Sequence, residues 1–208
     1  MSLPVLYGAE YSVYTRIARL ALLEKGVAHR LDPVDVFAPG GPSAAHLARH
    51  PFGRIPVLEH DGFTLYEASA IARYVDEAFP GPALQPAGAR GRARMAQVVS
   101  LLDSYAFRPL VLEIYVQRVS RRTPDEARIA AALGPAAVVL DSLEILAENH
   151  LAGPDFSLAD LHFVPILAYF TLAAEGAAML AARPKLSAWW ARMQRRETVL
   201  ATRFPAEG

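Results

Sequence analysis

The stretch His50–Val75, HPFGRIPVLEHDGFTLYEASAIARYV, decides how the rest of the chain is read. Pro56 has no N–H for a β-ladder and its φ is fixed, so it sits badly inside a strand and well at the first residue of one. A cis Ile55–Pro56 bond, following a turn at Phe52-Gly53, suits that position. Val57-Leu58-Glu59 and Phe63-Thr64-Leu65-Tyr66 then read as two short strands. His60-Asp61-Gly62 is the turn between them, because Asp-Gly favours tight hairpin conformations. From Glu67 to Val75, the residues Ala68, Ile71, Tyr74 and Val75 fall at helical spacing. The unit offers an unpaired backbone edge before Pro56 and a helix N-terminus after the hairpin. The edge suits an extended peptide, and the helix start suits a carboxylate.

Upstream, Pro4 to Tyr7 reads as a short apolar strand ended by Gly8. The spacing of Ile17, Leu20, Ala21 and Glu24 predicts an amphipathic helix over Val13–Lys25, with Ser12 at its N-cap and Gly26 as its stop. Val27 to Val36 reads as a second strand. After the loop from Phe37 to Pro42, Ser43 caps a short helix running to Arg49. Strand, helix, strand, then hairpin and helix is a thioredoxin-like βαβ–ββα order, whose crossover makes the first two strands parallel. Residues 1–79 form this first domain.

Phe79–Pro86, FPGPALQP, holds three prolines and a glycine and marks a boundary; the linker is placed at 80–90. Residues 91–208 read as an all-helical domain. A long helix spans Arg92 to Ser120 and is expected to break or kink at Pro109. Pro124-Asp125-Glu126 opens another, to His150, distorted near Gly134-Pro135. Ser157-Leu158-Ala159-Asp160 has capping-box spacing ahead of the apolar run Leu161–Leu172. Pro184 opens a last helix through Trp189, Trp190 and Met193. No fixed-period repeat is present.

The 208 residues carry 21 basic and 21 acidic side chains, so neither a basic surplus for nucleic acid nor a charged tail stands out. The absence of Cys excludes disulfides, cysteine zinc sites and a protein thiol nucleophile, and it fits a reducing compartment. The N-terminal Met1–Tyr7 lacks the pattern of a signal peptide, and no uninterrupted apolar run reaches ~18 residues. A cytoplasmic protein with no membrane partner is the expectation. The six histidines, 29, 46, 50, 60, 150 and 162, are read as forming no metal site. Gly40-Gly41 lacks the residues of a phosphate loop, and no G-x-S-x-G elbow occurs.

The pattern PFG-basic-hydrophobic-Pro, then Asp-Gly, then Leu-Tyr-Glu-x-x-Ala-Ile resembles the glutathione-binding half of cytosolic glutathione transferases. Gly153–Asp160 resembles the capping-box segment of their helical domain. Gly8–Arg16, GAEYSVYTR, is similar to the N-terminal motif of serine-type, phi-like and bacterial members. The resemblance implies the two-domain fold just described, glutathione as co-substrate without metal, a homodimer, and detoxifying attack of glutathione thiolate on a small hydrophobic electrophile.

It also implies residues. Ser12 falls on the thiolate-stabilising serine, with Tyr7, Tyr11 and Tyr14 as alternative hydroxyl donors and Thr15 behind them; a helix cap is the other role open to Ser12. Ile55 falls on the residue before the cis-proline whose backbone pairs with the cysteinyl part. Arg54, Pro56, Glu67, Ala68 and Ser69 complete the glutathione site. Ala68 departs from the pattern, which places Ser, Thr or Asp there. Losing that hydroxyl costs about 1.5–3 kcal/mol, or roughly ten- to a hundred-fold in affinity. Gly41-Pro42 departs too, where relatives place a cation for the glycyl carboxylate. Arg54, Arg49, His46 and His50 are the substitutes, although Arg49 and His46 read as solvated surface. The electrophile pocket is drawn from Phe37, Phe107, Tyr115, Phe170 and Phe204, and Asp103 is a candidate to reach a partner's glutathione. Two rival readings remain: a glutathione-dependent isomerase or dehalogenase, and a non-catalytic relative that binds ligands or partners.

Overall fold

The computed structural model describes residues 2–207. Met1, the start of the leader reading, and Gly208, the end of the second domain, lie outside them. Two compact units divide the chain. One runs to Leu84 and takes in Ala201–Ala206, and the other is Gln85–Leu200.

In the first unit a four-stranded sheet has the order β2-β1-β3-β4. Strand β1 (Val5–Gly8) pairs in parallel with β2 (Arg30–Pro33), Tyr7 standing opposite Asp32. It pairs antiparallel with β3 (Val57–His60), Tyr7 opposite Val57. The hairpin closes β3 on β4 (Phe63–Tyr66), with His60 opposite Phe63. Asp61 and Gly62 both take positive φ, 48° and 78°, the backbone that a two-residue hairpin turn demands. The Ile55–Pro56 bond is cis. Helix α1 (Val13–Glu24) buries Ile17, Leu20 and Ala21 beneath the sheet, and α3 (Ala68–Ala78) buries Ile71, Ala72 and Val75 beside it. Helix α2 (Ala44–Arg49) is capped by Ser43, whose hydroxyl accepts the His46 N–H at 3.2 Å. The second strand is far shorter than Val27–Val36. Its sequence has no sustained alternation, and only the four residues opposite β1 find partners.

The second unit is helical. Helix α4 (Ala89–Leu101) runs directly into a π-wound segment, Leu102–Ser120, that carries Pro109 in its interior. The break expected at Pro109 does not occur. The carbonyl register shifts to i→i+5, seen where the Arg121 N–H reaches the Val116 carbonyl at 3.0 Å, and the wider turn takes the proline ring. Helix α5 (Glu126–Leu146) has Asp125 as its N-cap, accepting the Arg128 N–H, and stays helical through Pro135. It ends at Leu146, short of His150.

By length and composition alone α5 is long and apolar enough to cross a bilayer, as a core helix can be. The criterion of an uninterrupted run misses it because Asp141 and Glu144 interrupt the apolar stretch that follows Arg128. Those same side chains tie it into the bundle. Asp141 accepts from Arg183 at 2.9 Å, and Glu144 accepts the N–H groups of Lys185 and Leu186 at 2.9 Å each. Helices α6 (Leu158–Phe170), α7 (Ala174–Ala181), α8 (Pro184–Met193) and α9 (Glu197–Leu200) follow, α8 opening on Pro184. All thirteen residues of α6 are buried, Asp160 and His162 included.

Ala201–Ala206 packs on the first unit, although the sequence boundary assigns it to the second. The fully buried Arg16 on α1 holds it. Its Nε donates to the Thr202 hydroxyl at 3.2 Å, and its guanidinium stacks 4.5 Å over the Phe204 ring.

Candidate active site

Ser12 is the N-cap of α1, with extended backbone (φ −84°, ψ 124°), and its Oγ accepts the Thr15 N–H at 3.2 Å. A hydroxyl that accepts from a helix N-terminus is polarised towards donation, and its own proton stays available for an incoming anion. Behind it lies the Thr15 side chain, fully buried with Oγ1 unpaired. A Cβ at Gly8 would stand 2.4 Å from that oxygen, so the glycine ending β1 is what lets α1 start this close to the sheet.

Two of the rival hydroxyls, Tyr7 and Tyr11, are engaged elsewhere. Tyr7 donates to Glu59 Oε2 at 2.9 Å, while Arg49 stacks 4.2 Å over its ring and bonds Glu59 Oε1 at 2.8 Å. Burial, followed by the Glu59 contact, raises the Tyr7 phenol above its ordinary range. Burial pushes the Glu59 carboxyl upward as well, but the bonds from Arg49 and Tyr7 outweigh it and hold the group low. Tyr11 donates to Asp35 Oδ1 at 3.1 Å, and burial and that bond raise its phenol too. Tyr14 is half-buried on α1.

The ladders of β3 begin at Val57, so the backbone of Ile55 lies outside the sheet register, one residue before Pro56. The loop carrying it is held by His46, whose buried Nε2 donates to the Arg54 carbonyl at 2.7 Å. His50 is buried as well, its Nδ1 accepting the Phe52 N–H at 3.3 Å and its ring 4.6 Å from that of Tyr66. Burial lowers its pKa. Placing His46 on a solvated surface is therefore wrong, and Arg49, although partly exposed, is paired. One fastens the loop and the other bridges Tyr7 to Glu59, roles set by tertiary contacts that composition does not reveal.

His46 and His50 also stand at H-x-x-x-H spacing, which the reading of the histidines as metal-free overlooks. Both rings nevertheless serve the loop, and among the described residues no three His, Asp or Glu side chains gather as a metal-binding group. The Arg54 side chain itself is exposed.

Glu67 takes φ 70° and ψ 117°, a conformation rare for a non-glycine residue and one that marks functional sites. It is exposed, its side chain makes no capping bond, and its carbonyl receives the Ile71 N–H at 2.9 Å. Turned this way, it leaves the N–H groups of Ala68 and Ser69 at the open start of α3. Ala68 is only 5% exposed, and Ser69 is half-buried.

The five aromatic candidates separate. Phe37 is 80% exposed and Phe107 half-buried. Phe170 is 0% and Phe204 1% exposed, the latter beneath Arg16, and Tyr115 is buried in a stack with Tyr169 at 4.2 Å. These last three are packing residues with almost no surface for a ligand; helical spacing of aromatics fits a core as well as a pocket. Asp103 is exposed on the π-wound segment. Sequence reasoning missed Asp35, which gathers Tyr11 and the backbone of Phe37, and the only available signal was an Asp two residues before an exposed aromatic.

Comparison with known proteins bears on this geometry. Residues 6–83 match the family model for the glutathione S-transferase N-terminal domain, and residues 105–197 match that for the C-terminal domain. Glutathione S-transferase F9 of Arabidopsis thaliana is 32% identical over 97% of this chain and 98% of its own. Glutathione S-transferase 3 of Zea mays is 31% identical over 96% and 95%. Among solved structures, glutathione transferase F7 from Populus trichocarpa superposes with a TM-score of 0.85 at 31% identity, over 96% of this chain and 97% of that one. The theta class enzyme of Xanthomonas axonopodis pv. citri, solved with glutathione bound, gives 0.84 at 27% over the full length of both.

Proposed function

The chain belongs to the glutathione S-transferase family, and on that premise we propose that it joins glutathione to small apolar electrophiles with Ser12 as the thiolate-stabilising donor. The observation that carries the assignment is the contrast among hydroxyls. Ser12 Oγ accepts from the start of α1 and keeps its proton for sulfur, whereas Tyr7 and Tyr11 commit theirs to carboxylates. The thiol loses its proton to solvent, and the thiolate is held by the Ser12 hydroxyl and the positive end of α1. Its sulfur then bonds to the electrophilic carbon as the leaving group departs with the electron pair of its own bond. The backbone of Ile55 pairs with the cysteinyl segment, the N–H groups of Ala68 and Ser69 take the γ-glutamyl carboxylate, and Arg54 serves the glycyl carboxylate. The working form is a homodimer.

In a Ser12→Ala variant the rate with glutathione and 1-chloro-2,4-dinitrobenzene falls about tenfold or more, while calorimetric glutathione affinity changes little. An unchanged rate moves the donor role to a tyrosine. Ala68 supports a second reading, glutathione binding without turnover, since a buried methyl at the start of α3 gives the ligand no hydroxyl. Calorimetric binding combined with no turnover against any electrophile is the result that favours it.

A further inference from the structure

An exposed phenylalanine on a loop normally folds its ring against the nearest apolar surface. Phe37 does not: its ring is 80% exposed, and its backbone is pinned instead. The Phe37 N–H donates to Asp35 Oδ1 at 2.9 Å, and the Tyr11 hydroxyl donates to the same oxygen at 3.1 Å. A single carboxylate oxygen thus joins the β1–α1 loop to the β2–α2 loop. The Tyr11 and Phe37 rings lie 5.8 Å apart, inclined at 32°, with Tyr11 37% exposed. Tyr11 immediately precedes Ser12, the residue assigned to the thiolate, on the loop from β1 to α1.

We propose that Asp35 is a positioning residue for the second substrate. It holds Tyr11 and Phe37 as one aromatic wall that selects flat aromatic electrophiles over aliphatic ones. The inference rests on the reading of Ser12 as the thiolate donor. A planar ring laid on two fixed ring faces gains dispersion and quadrupole contact without ordering either loop, and an aliphatic electrophile gains little of this. Asp35 touches neither substrate. It acts by removing the freedom of the two rings.

The test compares a flat acceptor, 1-chloro-2,4-dinitrobenzene, with iodoacetamide, which has no cysteine on this chain to modify. In Asp35→Ala and in Phe37→Ala the KM for the aromatic acceptor rises about fivefold. The KM for glutathione and kcat/KM with iodoacetamide stay within about twofold of wild type. Asp35→Asn keeps an acceptor oxygen and restores the aromatic KM. Tyr11, followed by phenolate absorbance against a Tyr11→Phe reference, titrates at lower pH in Asp35→Ala than in wild type. An unchanged aromatic KM in folded Asp35→Ala and Phe37→Ala, or an equal rise for both electrophiles, overturns the wall. Absence of turnover in the wild type overturns the functional reading itself, and the wall falls with it.

Discussion

Among the helices that start on a serine, α1 and α6 use it in opposite ways. At α6, Ser157 forms a capping box with Asp160, whose carboxylate is saturated. The Asp160 carboxylate, 0% exposed, accepts from the Ser157 N–H at 2.8 Å, the Leu151 N–H at 3.2 Å and the Trp189 indole at 2.7 Å, with His150 Nδ1 at 3.3 Å. At α1, Ser12 accepts one N–H, stays half-buried, and has no acid three residues on; the buried Thr15 stands there instead. A saturated cap contributes to stability because removing any member leaves buried groups unpaired. An unsaturated cap contributes less stability and keeps a proton free for chemistry. Residue type and position are the same, and the function follows from what surrounds each serine.

The largest expected effect is at the saturated end. Asp160→Ala leaves two backbone N–H groups and the Trp189 indole without their acceptor, at a cost of about 3 kcal/mol or more. Denaturant unfolding checks this. A loss below about 1 kcal/mol would erase the distinction between the two caps.

Acid sharpens the same contrast. His162, on α6 and fully buried, donates from Nδ1 to the Leu158 carbonyl, and burial depresses its pKa from 6.5 to about 4. The unfolded chain therefore binds this proton more readily than the folded one. The associated stability is complete above pH 6.5 and falls progressively down to about pH 4. At about 1.4 kcal/mol per pH unit, the loss is about 3 kcal/mol. Carboxylates held low by arginines, such as Glu113 and Glu175, lose stability in the same direction. Comparing wild type with His162→Gln across the pH range isolates the histidine. Parallel stability curves would contradict the assignment.

Ser12→Ala should separate from both, losing about tenfold in rate with a stability loss of about 1 kcal/mol or less, the ordinary cost of a cap. The smallest effect is expected at Ala68. A hydroxyl at Ala68→Ser restores a charge-assisted bond at the start of α3 and tightens glutathione binding by about tenfold, the low end for such a bond, read by calorimetry. No gain would mean that Ser69 already supplies the contact.

The elements that local chemistry specifies were legible in the sequence. The Asp61-Gly62 hairpin, the Pro56 strand start, the Ser12 and Ser43 caps, the Ser157–Asp160 box and Pro184 each act within a few residues of themselves. What depends on distant partners was not. Val27–Val36 contracted to the four residues opposite β1, and Pro109 was absorbed by a change in helix winding. Residues 201–206 follow Arg16 back to the first unit. Within the candidate site, the cis Ile55–Pro56 bond was legible, since it needs no particular side chain at Ile55. The burial of the aromatic candidates was not legible, because distant packing decides whether an aromatic is surface or core. Phe37 and Phe204 are alike in sequence and opposite in exposure.

The central claim is that the open cap of α1 holds a thiolate, and the most direct measurement is the pH at which bound glutathione ionises, followed by thiolate absorbance in wild type and Ser12→Ala. The account predicts ionisation in the wild type well below the ordinary thiol value of about 8.5, and a rise of about one pH unit or more on removing the hydroxyl. An equally depressed midpoint in both proteins would contradict it and leave Ser12 as a helix cap alone.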